Sequence, residues 1–276
     1  MRTILVTGCS SGIGHHAAHA LAARGWRVLA TCRQPRDCGR LRAEGLESFP
    51  LDQGDETSVA RACEQALDLT GGRLDALFAN GAHATPGFAE DLPRDALRAI
   101  FEANLFGVHD LTRRLIPALR AAPDGRAVWC SSVLGFAAMP WRGAYNSTKH
   151  AMEGLADTLR LECRETGPRV ILIQPGPIAT RIRTNSVPHF ERWIDPGASA
   201  RAAEYARLQA RLRAPEPEVP EGHRAHPGRV TRALLRALDA PRPRARYRVT
   251  RETRLAEGMR RLLPTALRDA LLSRAG

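Results

Sequence analysis

A chain of 276 residues with 43% hydrophobic and 25% charged side chains has enough apolar material for one large core, which excludes the disordered and fibrous classes. No apolar run approaches the roughly 20 residues that cross a bilayer. The start MRTILVTGCSSGIGHH turns to glycine and serine too early for a signal peptide, so a cytoplasmic location is expected. The net charge of +12 is uneven: residues 1–180 carry 20 basic and 19 acidic side chains, residues 181–276 carry 21 and 10. No recognition motif or aromatic-interleaved basic stripe accompanies the excess, so no nucleic-acid partner is expected, and a codon preference for arginine explains it equally well.

The first predicted strand, TILVT, runs into Thr7, Gly8, Cys9, Ser10, Ser11, Gly12, Ile13 and Gly14, and a helix follows. Glycines at such a turn let the backbone approach a pyrophosphate, while the helix amino terminus offers free N–H groups and the positive end of a dipole. His15, His16 and His19 follow on that helix. They match no H-E-x-x-H pattern and have no cysteine or carboxylate at ligand spacing, so they read as a solvated or packed face and no metal is expected. The second strand, WRVLAT, leads into Cys32 and Arg33 where an acid would hydrogen-bond ribose hydroxyls. A guanidinium there pairs with a 2′-phosphate, favouring NADP(H) over NAD(H), unless Arg33 is an ordinary surface arginine. The third strand, LESFPLD, ends at Asp52, placed to reach an adenine ring.

The fourth strand, LDALFAN, opens into Ala79, Asn80, Gly81 and Ala82; the fifth, RAVWCSS, ends at Ser132; the sixth is RVILIQP and the seventh ARYRVT. Between them apolar residues recur at helical spacing, as at Ala17, Ala20, Leu21 and at Leu105, Val108, Leu111, Leu115. Strands alternating with helices imply crossover connections, hence an α/β fold: a Rossmann-type doubly wound parallel sheet of about seven strands with helices on both faces. Residues 1–250 read as one domain. Residues 181–228, with the helical ASARAAEYARLQARLR and the proline-rich APEPEVPEGHRAHPG, form an insertion placed to cover substrate as a lid, or else a purely structural excursion. Residues 251–276 read as a basic amphipathic extension that packs on its own domain or on a partner subunit, or else touches an anionic membrane surface. The six cysteines, Cys9, Cys32, Cys38, Cys63, Cys130 and Cys163, have no CxxC spacing and read as buried, reduced residues.

The most informative stretch is CSSVLGFAAMPWRGAYNSTKH. Tyr145 and Lys149 stand one helical turn apart, and Lys149 is the single lysine among 41 basic residues. A tyrosine titrating near pH 10 is a poor acid or base at neutral pH. A cation one turn away, joined by that of an oxidised nicotinamide, is expected to favour phenolate and lower its pKa. An ammonium also offers three freely rotating donors to ribose hydroxyls, which a planar guanidinium cannot imitate.

Together, the turn T-G-x-x-x-G-x-G, the serine and Y-x-x-x-K resemble the short-chain dehydrogenase/reductase superfamily in its single-domain form. The resemblance implies an active-site quartet of Asn104, Ser132, Tyr145 and Lys149: Tyr145 exchanges a proton with the substrate oxygen, Ser132 holds that oxygen, Lys149 orients the ribose, and Asn104 supports a proton-conducting water. It implies cofactor contacts at Gly8, Ser10, Ser11, Gly12, Ile13, Gly14, Arg33, Asp52 and Asn80, and at Pro175, Gly176, Ile178 and Thr180 beside the nicotinamide. One landmark departs: where the family reads N-N-A-G, this chain reads Ala79-Asn80-Gly81-Ala82, which predicts slightly changed loop geometry with binding retained. Within the superfamily the chain is similar to the hydroxysteroid and retinol dehydrogenase branch. That implies a bulky apolar alcohol or ketone in a pocket lined by Leu134, Phe136, Met139, Trp141 and Trp193, and a homodimer or homotetramer paired through helices around 101–122 and 146–166. A catalytically silent NADP(H)-binding sensor or scaffold is the alternative, and the complete quartet argues against it.

Overall fold

The computed structural model describes residues 1–215, 219–220, 222–223 and 225–273; parts of the proline-rich loop and the last three residues of the expected extension lie outside them. All seven expected strands form: β1 (Thr3–Val6), β2 (Arg27–Cys32), β3 (Glu47–Pro50), β4 (Ala76–Ala79), β5 (Arg126–Cys130), β6 (Arg169–Gln174) and β7 (Arg246–Arg248). They make one parallel sheet in the order β3-β2-β1-β4-β5-β6-β7.

Successive strand residues point to opposite faces, and here both faces are apolar. Ile4, Val6, Phe78, Val128, Ile171 and Ile173 face a core completed by α1 (Gly12–Ala22), α2 (Pro35–Ala43) and α9 (Gly228–Asp239). Leu5, Leu77, Trp129, Val170 and Leu172 face the opposite core, closed by α3 (Glu56–Thr70), α5 (Gly107–Arg120) and α6 (Gly143–Glu162). Each fully buried aliphatic side chain contributes about 1.5–3 kcal/mol, so the two cores supply the main driving force. All six cysteines are free and buried.

Strand order reverses direction between β1 and β4, which opens a crevice at the carboxyl ends of the strands where ligands bind in such sheets. Over it lie α4 (Arg94–Phe101), α7 (Ile182–Trp193) and α8 (Ala202–Arg213); α7 and α8 share a small core of Phe190, Ile194, Tyr205, Leu208 and Leu212 with Phe88 and Trp141. The chain ends in α10 (Arg251–Leu262) and α11 (Thr265–Leu272). α10 buries Thr253 and Glu257, whereas α11 has no fully buried residue and leaves Leu267 and Leu271 exposed. No described helix is long and apolar enough to cross a membrane.

Candidate active site

The glycine turn between β1 and α1 is built by close backbone approach. Gly8 sits at φ 71°, and a Cβ there would meet Gly81 Cα at 2.7 Å; a Cβ on Gly14 would meet the Gly8 carbonyl oxygen at 2.3 Å. Thr7 ties this turn to the loop after β4, its Oγ1 accepting the N–H of Asn80 at 2.9 Å and of Gly81 at 2.8 Å, while Asn80 Nδ2 donates to the Thr7 carbonyl at 3.1 Å. The shifted glycine has a cause: a Cβ on Gly81 would lie 2.3 Å from Gln53 Oε1, and Gln53 is pinned by its Nε2 donating to the Ala103 carbonyl at 3.2 Å.

Tyr145 is in the first turn of α6, with Lys149 one turn on, 9% and 1% exposed. Lys149 Nζ donates to the Cys130 carbonyl at 2.7 Å and lies 5.6 Å from the centre of the Tyr145 ring. Ser132 caps a short 3₁₀ turn, its Oγ accepting the Leu134 N–H at 3.1 Å. Burial pushes the Tyr145 phenol well above its usual range, and the Cys130 thiol adds to this; the Ser132 hydroxyl and the Arg142 guanidinium only partly oppose it. Lys149 is not among the groups that shift the phenol, and burial pulls its own ammonium down. The lowering expected from Lys149 together with an oxidised nicotinamide concerns the loaded site.

Asn104 is fully buried in a π-helical turn, Glu102–Phe106, between α4 and α5. Its amide clamps the loop after β4, Oδ1 accepting the His83 N–H at 3.0 Å and Nδ2 donating to the His83 carbonyl at 2.8 Å, with Thr148 Oγ1 on α6 at 3.3 Å. The side chain is thus engaged in positioning the loop after β4 against α6. The His83 ring stacks on His189 of α7 with centroids 3.9 Å apart, and burial, with His189 and Arg33 nearby, pushes its pKa down to about 3.

A cleft of about 380 Å³ joins these parts, lined by Gly8, Ser10, Ser11, Gly12, Ile13 and Asn80, by Ser132, Tyr145 and Lys149, and by Pro175, Gly176, Ile178 and Thr180. It continues into a polar compartment of about 530 Å³ lined by Arg33, Arg36, Arg40, Asp52 and His189. Gly14 stands behind the turn and Asn104 behind the cleft, each acting through a neighbour. Of the five expected pocket residues, Leu134 and Met139 line the cleft and Phe136, Trp141 and Trp193 do not. Trp141 instead packs against the α7–α8 core, edge-on to Phe88 with centroids 6.1 Å apart, and Trp193 lies under Arg192. Aromatic residues near the motif were drawn into the insertion's own core, a destination that local sequence does not distinguish from a pocket. Gln53 and Arg142 are site residues that the sequence did not single out, and Thr7 was named only as part of the glycine turn; Arg142 stands three positions before Tyr145 within CSSVLGFAAMPWRGAYNSTKH.

The histidine face differs from expectation. Glu44, distant in sequence, accepts from His15 Nε2 at 2.9 Å and His19 Nε2 at 2.8 Å, so a carboxylate does stand beside these rings, brought there by the packing of α2 on α1. Among the described residues this is the one group of side chains that could gather a metal ion, and it lies outside the cleft.

A parallel sheet with a glycine turn at its switch point and a buried tyrosine–lysine pair across the crevice defines a nucleotide-dependent oxidoreductase. The short chain dehydrogenase family model matches residues 2–190, and the chain belongs to that family, whose members are oxidoreductases acting on CH–OH groups. It is 35% identical to the uncharacterized oxidoreductase YbbO of Escherichia coli over 98% of this chain and 94% of that protein. It is 31% identical to human 17-beta-hydroxysteroid dehydrogenase type 1 over 90% and 77% of the two chains, and 30% identical to human retinol dehydrogenase 16 over 98% and 87%. Among solved structures, a short-chain dehydrogenase from Streptomyces avermitilis superposes with a TM-score of 0.77 at 25% identity, covering 98% of this chain and 94% of that one. One from Burkholderia phymatum, in complex with NAD, superposes with a TM-score of 0.75 at 24% identity over 95% and 92% of the chains.

Proposed function

We propose that this chain is an NADP(H)-dependent oxidoreductase that interconverts a secondary alcohol and a ketone, or an aldehyde, on a bulky apolar substrate, with Tyr145 as general acid and base. The observation that carries this reading is that Ser132, Tyr145, Lys149 and the glycine turn share one cleft. The fit to a dinucleotide rests on the cradle itself: Gly8, Gly12 and Gly176 line the cleft, and a Cβ on Gly12 would stand 3.1 Å from the Thr180 methyl that also lines it. The nicotinamide, when bound, supplies or accepts the hydride. Tyr145, kept protonated by burial, delivers a proton to the substrate oxygen during reduction, and Ser132 donates a hydrogen bond to that oxygen. Lys149 holds the ribose and supplies the positive field that the phenolate needs in the oxidative direction.

Preference for the phosphorylated cofactor is supported by Arg33 and Arg36, which line the polar compartment and make no hydrogen bond or ion pair among the described residues. A charge-assisted bond is worth about 1.5–3 kcal/mol, so NADPH is expected to bind about 10- to 100-fold more tightly than NADH. Fluorescence titration of both nucleotides checks this, and Arg33→Ala should remove the difference by weakening NADPH alone. Equal affinities in the unsubstituted protein would end the NADP(H) assignment. A screen of aliphatic, aromatic and steroidal ketones with the tighter nucleotide then tests turnover.

A further inference from the structure

Arg142 stands at the amino end of α6, immediately before its first residue and three positions before Tyr145. It lines the cleft together with Ser132, Leu134, Met139 and Tyr145. Its side chain makes no hydrogen bond or ion pair with any described residue, although it is partly buried. The flanking groups make its position worse: burial first, then the guanidinium groups of Arg211 on α8 and Arg183 on α7, push its pKa down, and the Tyr145 phenol only partly offsets them. Arg183 is turned to the carbonyls of Arg211 at 3.2 Å and Pro215 at 2.7 Å. The described lining of the cleft contains Arg142, Lys149, Arg181 and Arg183 and no carboxylate. A desolvated guanidinium without an anion is costly, and a planar fork of donors suits a carboxylate.

The backbone supports a built arrangement. Trp141, the residue before Arg142, is the one described non-glycine residue with positive φ, at 62°. Such a conformation costs a side-chain-bearing residue energy and persists where its surroundings impose it. Here the Trp141 ring packs into the α7–α8 core and its carbonyl accepts the Gly87 N–H at 3.1 Å, while the Arg142 carbonyl accepts the Asn146 N–H at 2.7 Å. Strained chain on one side and helix on the other fix where Arg142 enters the cleft.

We propose that the substrate of this site carries a carboxylate, received by Arg142, with its apolar portion against Leu134 and Met139. This rests on the oxidoreductase reading above and narrows it from a purely apolar substrate to an apolar carbonyl compound with an anionic end.

The test uses matched pairs: 3-benzoylpropionate and 4-benzoylbutyrate, each beside its methyl ester, reduced by NADPH and the full-length protein. The acids are expected to exceed their esters at least tenfold in kcat/KM. Arg142→Leu should shrink that ratio at least tenfold, chiefly through KM, and Arg142→Lys should restore part of it. A ratio near one in the unsubstituted protein, or a ratio that Arg142→Leu leaves unmoved, overturns the proposal. So does a pH profile of kcat that shifts in Arg142→Leu with the ratio intact, which assigns Arg142 to tuning Tyr145, or a matching loss of NADPH affinity, which assigns it to the cofactor. Calorimetric titration of acid and ester into the protein with NADP+ separates this proposal from its parent. Arg142-dependent binding of the acid without turnover of any ketone supports the carboxylate site and sinks the oxidoreductase reading; turnover of neutral ketones with no preference for acids does the reverse.

Discussion

Lys149 is 1% exposed, and among the described residues its ammonium has a single close oxygen partner, the Cys130 carbonyl at 2.7 Å. An arginine at that position would bring five donors in a fixed plane to a pocket that offers one carbonyl and, on the proposed reading, the hydroxyls of a ribose. Lys149→Arg, although it preserves charge, is therefore expected to fold, to weaken NADPH several-fold and to lower kcat by about 100-fold or more, the lower end of what general acid–base catalysis contributes. Steady-state kinetics and nucleotide titration check this, and kcat within threefold of the unsubstituted protein would contradict it. That this lysine stands beside Tyr145 in the cleft was legible from the Y-x-x-x-K spacing. The direction of the Tyr145 shift was not legible. Spacing reveals that a cation is one turn away but not that both groups are sealed from water, where desolvation disfavours the charged form of each.

At the scale of elements, the turn after β1 and the loop after β4 form one unit, held by Thr7 and fitted around Gln53. Gly81→Ala displaces the Gln53 amide from its bond to Ala103 and is expected to cost about 1 kcal/mol through that lost hydrogen bond. Gln53→Ala costs about 1 kcal/mol through the lost hydrogen bond. The two together should cost at least about 0.5 kcal/mol less than their sum. Denaturant unfolding of the single and double variants measures this, and strict additivity would show that Gln53 is not what requires the glycine. The strands were readable because each is a short apolar run between turn residues, and the glycine turn because its residues are contiguous. The Gly81–Gln53 fit was hidden, since it depends on two loops that meet only when β1 lies between β3's neighbour and β4. The π-turn at Asn104 was hidden for a related reason: EANLF has ordinary helical residues, and the widening becomes visible only with the clamp on the His83 backbone in place.

At the scale of the whole molecule, two large apolar side chains stand exposed where the resemblance led us to expect subunit contacts: Phe106, 50% exposed at the start of α5, and Leu161, 63% exposed near the end of α6. Both lie within the segments that the resemblance pairs between subunits, where association would cover them. We expect light scattering to give a multiple of the 30.2 kDa chain mass, and Phe106→Asp with Leu161→Asp to return it to 30.2 kDa; a monomer in the unsubstituted protein would contradict the expectation. Two of the five expected pocket residues line the cleft because the insertion recruits tryptophans into its own core, and sequence near the motif does not show which way a ring turns once α7 and α8 pack. The charge of the cleft was equally illegible, because Arg142, Arg181 and Arg183 come together only when α7 lies over the start of α6.

On the proposed reading Tyr145 carries the proton while other groups hold the nucleotide, and one substitution separates these roles. Tyr145→Phe removes a single oxygen and keeps the buried ring. With the ketone that the screen shows is reduced fastest, stopped-flow loss of nicotinamide absorbance should show the single-turnover rate falling by about 100- to 10,000-fold, with the Kd for NADPH within threefold of the unsubstituted protein. An unchanged rate in Tyr145→Phe would contradict the account.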